Sequence, residues 1–348
     1  GLVRFDLFEL ALPGDRLSLA GALGNNAELA GTDLDIVASS EDIGRWAAAF
    51  GQPVQALGPV ALRGRLLTDA GGQASLTARA EYQQNTLTLV GKLGLLIGPM
   101  QPDLKIDFHS DDLQTLAPLL DDLTLPHAPL TARGRIAGQQ QQMLLDGMEL
   151  NLGGHEARID GRVNPEQPFI GSELEVQVKS LNAADLGKLF GEERLPPAPF
   201  TLSGRIERPD QRIRLRDLVL DLDGHRAEVS GFINPEETFS GSEIEARLDT
   251  PDLASLALLF GREGLPSEPA ELSAVLQAEG RGIRFETRQG ELGAIRLAAK
   301  GRIPDLENPF GIDADFDIRL PSLTLIAFAA PELELPDLPF TATGRLHG

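Results

Sequence analysis

The residues best equipped for chemistry are few and scattered. Five histidines occur, His109, His127, His155, His225 and His347. Only His155 and His225 occupy equivalent places in the pattern described below, and that place carries no matching ligand cluster. The acidic runs TDLDI (Thr32 to Ile36) and DLDG (Asp221 to Gly224) offer oxygen atoms of the kind calcium takes. They lack the spaced ligands of a defined loop, and Asp33 and Asp35 fall on the outer face of a strand, where solvent is the expected partner. Glycine–arginine pairs recur at Gly64–Arg65, Gly134–Arg135, Gly204–Arg205 and Gly344–Arg345. They place arginine on a polar face, opposite the carboxylates of neighbouring strands. The chain has no glycine-rich phosphate loop between a strand and a helix, no nucleophile elbow and no defensible carboxylate pair. It has no cysteine, which excludes disulfides, thiolate nucleophiles and thiolate metal sites. Catalytic residues, a metal and a cofactor are therefore not expected, and neither is enzymatic activity.

Composition narrows the partners. The 348 residues carry a net charge of −21, which repels phosphate backbones and anionic surfaces, so nucleic acid is not an expected partner. Aromatic residues make up 5%, with one Trp and one Tyr, too few for base-stacking platforms. The longest apolar run, LTLIAFAA (Leu323 to Ala330), falls short of the ~18 residues of a membrane span. The opening GLVRFDLFEL has no secretion signal and reads as an excised or processed form.

What must position any site is a repeat. PFTLSGRI at Pro199 to Ile206 returns as PFTATGRL at Pro339 to Leu346. Stepping by 70 residues aligns Gly64, Gly134, Gly204, Ala274 and Gly344, each preceded five residues earlier by Pro59, Pro129, Pro199, Pro269 or Pro339. A second column holds Gly21, Gly91, Gly161, Gly231 and Gly301. The chain therefore reads as a single repetitive fragment, 1–348, of five tandem units with boundaries near 59, 129, 199, 269 and 339 and partial units at both ends.

Each unit predicts four strands and one short helix. Phe200, Leu202, Gly204 and Ile206 alternate with polar residues. In Arg212 to Gly224 the apolar phase slips at Asp217, which predicts a bulge. A third strand carries Ala227, Val229, Gly231 and Ile233, and a fourth Ile244, Ala246 and Leu248, after a turn such as Asn234 to Ser242. Ser40, Ser110, Ser180 and Thr250 are the expected helix N-caps, with Pro251 at the first helical position. Ile43, Trp46 and Phe50 match Leu253, Leu256 and Phe260 at helical spacing over roughly ten residues, with Gly51, Gly191 and Gly261 as C-caps. In the fifth copy Leu320 replaces the cap and Pro331 the glycine.

The fold class is thus mainly β with short helices, an elongated, twisted and curled antiparallel sheet. One short helix cannot cover four strands, so the apolar faces are expected to line a hydrophobic groove. Its lining is Leu17, Leu19, Leu34, Ile36, Leu89, Ile106, Phe108, Ile159, Val176, Val178, Phe200, Leu202, Ile206, Val229, Ile233, Ile244, Leu248, Phe316 and Ile318, with their repeat mates. Such a lining suits acyl chains, which need burial and no polar site. Arginines near the rim then have a second use, as contacts for lipid headgroups.

The run Asp252 to Phe260 with Leu265 and Pro266, and FGEERLPPAPFTLSGRI at Phe190 to Ile206, resemble the AsmA-like family of bacterial envelope proteins, part of the repeating β-groove or bridge-like lipid-transfer group. The resemblance covers all five units. It implies a periplasmic location, an inner-membrane anchor outside this fragment, and transport of phospholipid towards the outer membrane, with outer-membrane or periplasmic proteins as further partners. The alternative reading is a structural or adhesive β-repeat scaffold that binds proteins and no lipid.

Overall fold

The computed structural model describes the chain except residues 43, 45–57, 97–99, 120–123, 140–141, 166–168, 236–238, 306–310 and 330–333. The described residues are mainly strand and fall into two compact units, Gly1–Pro168 and Phe169–Gly348.

The first unit holds β1 (Leu2–Leu12), β2 (Asp15–Gly24), β3 (Asp33–Ser40), β4 (Val60–Thr68), β5 (Gln73–Tyr82), β6 (Asn85–Leu95), β7 (Met100–Ser110), β8 (Leu130–Gln139), β9 (Gln142–Leu152) and β10 (His155–Val163). Each pairs antiparallel with the next in sequence. The second unit repeats this order with β11 (Ser172–Ser180), β12 (Phe200–Arg208), β13 (Ile213–Leu222), β14 (His225–Ile233), β15 (Glu243–Thr250), β16 (Ala270–Glu279), β17 (Gly282–Leu292), β18 (Ile295–Ile303), β19 (Asp313–Leu320) and β20 (Phe340–His347). Tight turns enforce the antiparallel order. Between β13 and β14, Asp223 and Gly224 both take positive φ, 54° and 86°, the backbone of a two-residue hairpin turn.

The prolines one residue before β8, β12 and β16 supply a carbonyl where no N–H is asked of them. Pro129, Pro199 and Pro269 accept from the N–H groups of Gly153, Asp223 and Gly293 at 2.9, 3.0 and 2.7 Å. The expected bulge is present: Asp217 has φ 49°, and the register of β13 shifts between Leu215 and Leu218. The second glycine column answers a close backbone approach. A Cβ on Gly91 would lie 2.1 Å from the Asp103 carbonyl oxygen, and one on Gly231 would lie 2.2 Å from that of Glu243.

The helices differ from expectation in two respects. The N-caps are Asn182 and Asp252, two residues after the expected Ser180 and Thr250, so Pro251 precedes the cap instead of opening the helix. Ser180 and Thr250 are still in register, opposite Phe200 and Ala270, and the chain needs two more residues to leave the sheet. The helices Ala183–Leu189 and Leu253–Leu259 are also shorter than ten residues. Gly191 and Gly261 stop them at φ 75° and 68°, as expected for these glycines. The corresponding segments Leu113–Leu119 and Leu323–Ala329 are 3₁₀ turns; in the first of these Pro118 blocks continuation as an α-helix. The expected helix over Ile43, Trp46 and Phe50 with Gly51, like Pro331, lies outside the described residues.

Candidate functional site: the apolar face of the sheet

Directly opposed residues in an antiparallel sheet share a face, so the register assembles the apolar columns into rows. In the first unit one row runs Leu10, Leu17, Ala38, Leu62, Ala80, Leu87, Phe108, Ala132, Leu150, Ala157. Beside it run Phe8, Leu19, Ile36, Gly64, Ala78, Leu89, Ile106 and Gly134, then Met148 and Ile159 beyond a bulge. A third row includes Gly21, Leu34, Leu66, Leu76, Gly91, Leu104, Ile136 and Leu145. In the second unit Val178, Leu202, Leu220, Ala227, Leu248 and Leu272 form one row. Val176 opposes Gly204; Leu218, Val229, Ala246 and Ala274 form the next row. Ile206, Leu215, Gly231, Ile244, Leu276 and Phe285 make the third. Ile233 faces Ile213, Phe316 lies between Ala299 and Gly344, and Ile318 between Leu297 and Ala342.

Apart from Phe200, the residues named above for the groove lie in these rows and pairs. All are half-buried except Leu34, which is buried at 6% exposure. Phe200 has a different setting from the rest: it packs with Leu259 against Ala183, Ala198 and Leu222, where the helices meet the strand ends. Among the described residues most side chains of these rows are only half-buried. A sheet face this apolar is ordinarily closed by another sheet or by helices.

The opposite face is ionic. Arg65 forks onto Asp33 with two bonds of 2.9 Å. Arg135 holds Asp103 at 2.6 and 2.9 Å and Asp146 at 3.3 Å. Arg205 lies 3.5 Å from Glu173, and Arg345 holds Asp313 at 2.7 and 2.6 Å. The carboxylate partners expected for the glycine–arginine pairs are thus present. Hydrogen bonds from these arginines hold Asp33, Asp103 and Asp313 below the usual carboxylate range, and Arg135 is pushed above its ordinary value chiefly by Asp103. The groups are exposed, so each pair adds little stability.

Where strand and helix meet, a set of polar residues does work that sequence reasoning missed. His225 is buried, its Nδ1 2.6 Å from Thr250 Oγ1 and its Nε2 3.4 Å from Ser255 Oγ in the helix Leu253–Leu259. Asn85, 140 positions earlier in the chain, donates to Thr115 Oγ1 at 2.7 Å. Asp15 accepts from Ser40 Oγ at 2.5 Å. Ile295 and Leu320, 70 positions after His225 and Thr250, are both buried. The sequence signal was a column of polar residues facing the supposed cap column. Also missed were Phe169 and Phe239, exposed at 57% and 56% with φ 61° and 52°, at the turns entering β11 and β15. Bulky residues rarely hold positive φ.

No group of His, Asp or Glu that could hold a metal ion exists among the described residues. His109 and His127 instead contact Asp111 and Asp112, each at 3.0 Å. No helix among the described residues is long and apolar enough to cross a membrane. Compared with known proteins, the chain matches no family model, no curated protein and no solved structure.

Proposed function

We propose that the chain consists of five 70-residue units whose apolar rows form a groove for phospholipid acyl chains, and that it carries lipid across the bacterial periplasm from the inner towards the outer membrane. The observation that carries this reading is the set of aliphatic rows left half-open on one face while the arginine–carboxylate pairs occupy the other. Burial of an acyl chain requires no directional partner and contributes ~0.8 kcal/mol per methylene fully removed from water. The rows repeat similar side chains from strand to strand, so a bound chain meets no site much deeper than the next. An anchor in the inner membrane and protein partners at either end belong to the same reading. They rest on the resemblance to AsmA-like proteins and not on the geometry.

The test is native mass spectrometry of the protein purified from a bacterial envelope, with lipid extraction alongside. Co-purified glycerophospholipid is the expected result. A chain that emerges lipid-free, and that fails to take up a photoactivatable phospholipid from vesicles, is a scaffold and not a conduit.

A further inference from the structure

We propose that Arg208 binds the phosphate of a phospholipid headgroup at the turn end of the apolar rows, so that the acyl chain leaves it along them. The site rests on the groove proposed above and gives it a polar end. Arg208 is the last residue of β12 and opposes Ser172, the first of β11. It stands two residues beyond Ile206, which lies between Leu174 and Leu215. The register between β11 and β12 runs without a shift. Alternation therefore puts the Arg208 side chain on the apolar face, and those of Arg205 and Glu207 on the ionic one. Ile213 and Ile233, opposed to each other, stand at the same end on the next two strands.

Two observations set this arginine apart. It is half-buried, with Nε sealed from solvent, yet among the described residues its side chain has neither a hydrogen bond nor an ion pair. Arg214, also half-buried, has Glu207 at 3.3 Å. A guanidinium withdrawn from water without an acceptor is costly, and an anion restores what it lost. The repeat, moreover, does not ask for a cation here: Thr68, Gly138 and Ala278 hold the same place at 70-residue spacing. The occupant follows from charge and continuity. The net charge of −21 repels phosphate from the surface at large, so its capture needs a local, unpaired cation. The planar guanidinium fork matches phosphate oxygens. One residue pair inward, Leu174, Ile206 and Leu215 begin an aliphatic row, so a single amphiphile meets both.

The test titrates three probes separately into the isotope-labelled chain: decyl phosphate and decyl maltoside, both below micelle-forming concentrations, and inorganic phosphate. The Arg208 Nε–H resonance, assigned by its loss in Arg208→Ala, is followed together with affinity. Decyl phosphate should shift this resonance. Arg208→Ala should weaken decyl phosphate binding about tenfold and leave decyl maltoside binding unchanged. The variant is expected to fold, since Gly138 and Ala278 occupy the equivalent place. Arg208→Lys keeps the charge without the fork, and its affinity for decyl phosphate should fall between the two. If both chains bind decyl maltoside and bind decyl phosphate equally well, the headgroup site is overturned and the groove stands. If neither alkyl probe binds, the groove is lost and the site with it. Inorganic phosphate bound as tightly as decyl phosphate would make Arg208 a site for free anions and overturn the headgroup assignment.

Discussion

At the scale of single residues, glycine sets the geometry and aliphatic side chains set the surface. Gly91 has φ 152° and no room for a Cβ, which would meet the Asp103 carbonyl oxygen at 2.1 Å. Gly91→Val should therefore cost on the order of 2–4 kcal/mol in urea unfolding. Gly154→Ala, with positive φ but nothing within 4 Å, should cost only about 1 kcal/mol. Equal losses would show that backbone strain alone, and not the close approach, selects glycine. On the apolar face, Val229→Glu or Val176→Glu places a carboxylate among half-buried aliphatics. It should block lipid capture in a photo-crosslinking assay while circular dichroism stays native. Normal capture by either variant would remove the face from the lipid path. On the ionic face, Asp103 should titrate below an ordinary aspartate in NMR. Its charged form is favoured in the fold, so that small stabilisation is present above the unfolded pKa and lost as pH falls through the folded one. Arg135→Gln should move the Asp103 midpoint back up.

At the scale of elements, a strand and the helix that follows its neighbour are tied by a buried polar contact. His225→Ala removes the partner of Thr250 Oγ1 inside the protein, so a loss of about 1–3 kcal/mol is expected. Seventy positions further along the chain, Ile295 and Leu320 are apolar and both buried. The double variant His225→Ile with Thr250→Leu should therefore recover most of what His225→Ala loses, measured by the same unfolding transition. Failure to recover would assign His225 a role beyond packing, through Ser255. The helices were legible as periodic segments with glycine stops, but their starts were misplaced by two residues. Ser180 and Thr250 are chemically good caps; register with β12 and β16 holds them in the sheet, and Asn182 and Asp252 take the role. Cap propensity cannot reveal how many residues a chain needs to turn out of a sheet.

At the scale of the whole molecule, the proposed burial of acyl chains along the aliphatic rows is a non-ionic process. The chain carries a charge of −21, yet retention of phospholipid should change little between about 0.05 and 0.5 M salt, because screening acts on exposed charges. Extracted lipid counted by mass spectrometry at the two salt concentrations checks this. Release by salt would point to headgroup capture by the arginines instead of acyl burial.

The sequence by itself determined the alternation of apolar and polar residues, the columns of glycine and proline, the phase slip at Asp217 and the expectation of carboxylates opposite the glycine–arginine pairs. These are local matters: side-chain period, backbone freedom and the reach of a strand to its neighbour settle them. Whether the apolar face was closed could not be read there, since Leu202, Leu220 and Leu248 alternate alike in a sealed core and in an open trough. The tertiary structure shows those side chains half-buried within their unit, a degree of cover that alternation alone does not set. Tertiary structure also turned Asp15, Asn85 and His225 from isolated polar residues into contacts at the strand ends, since their partners lie 25 to 30 residues away in sequence.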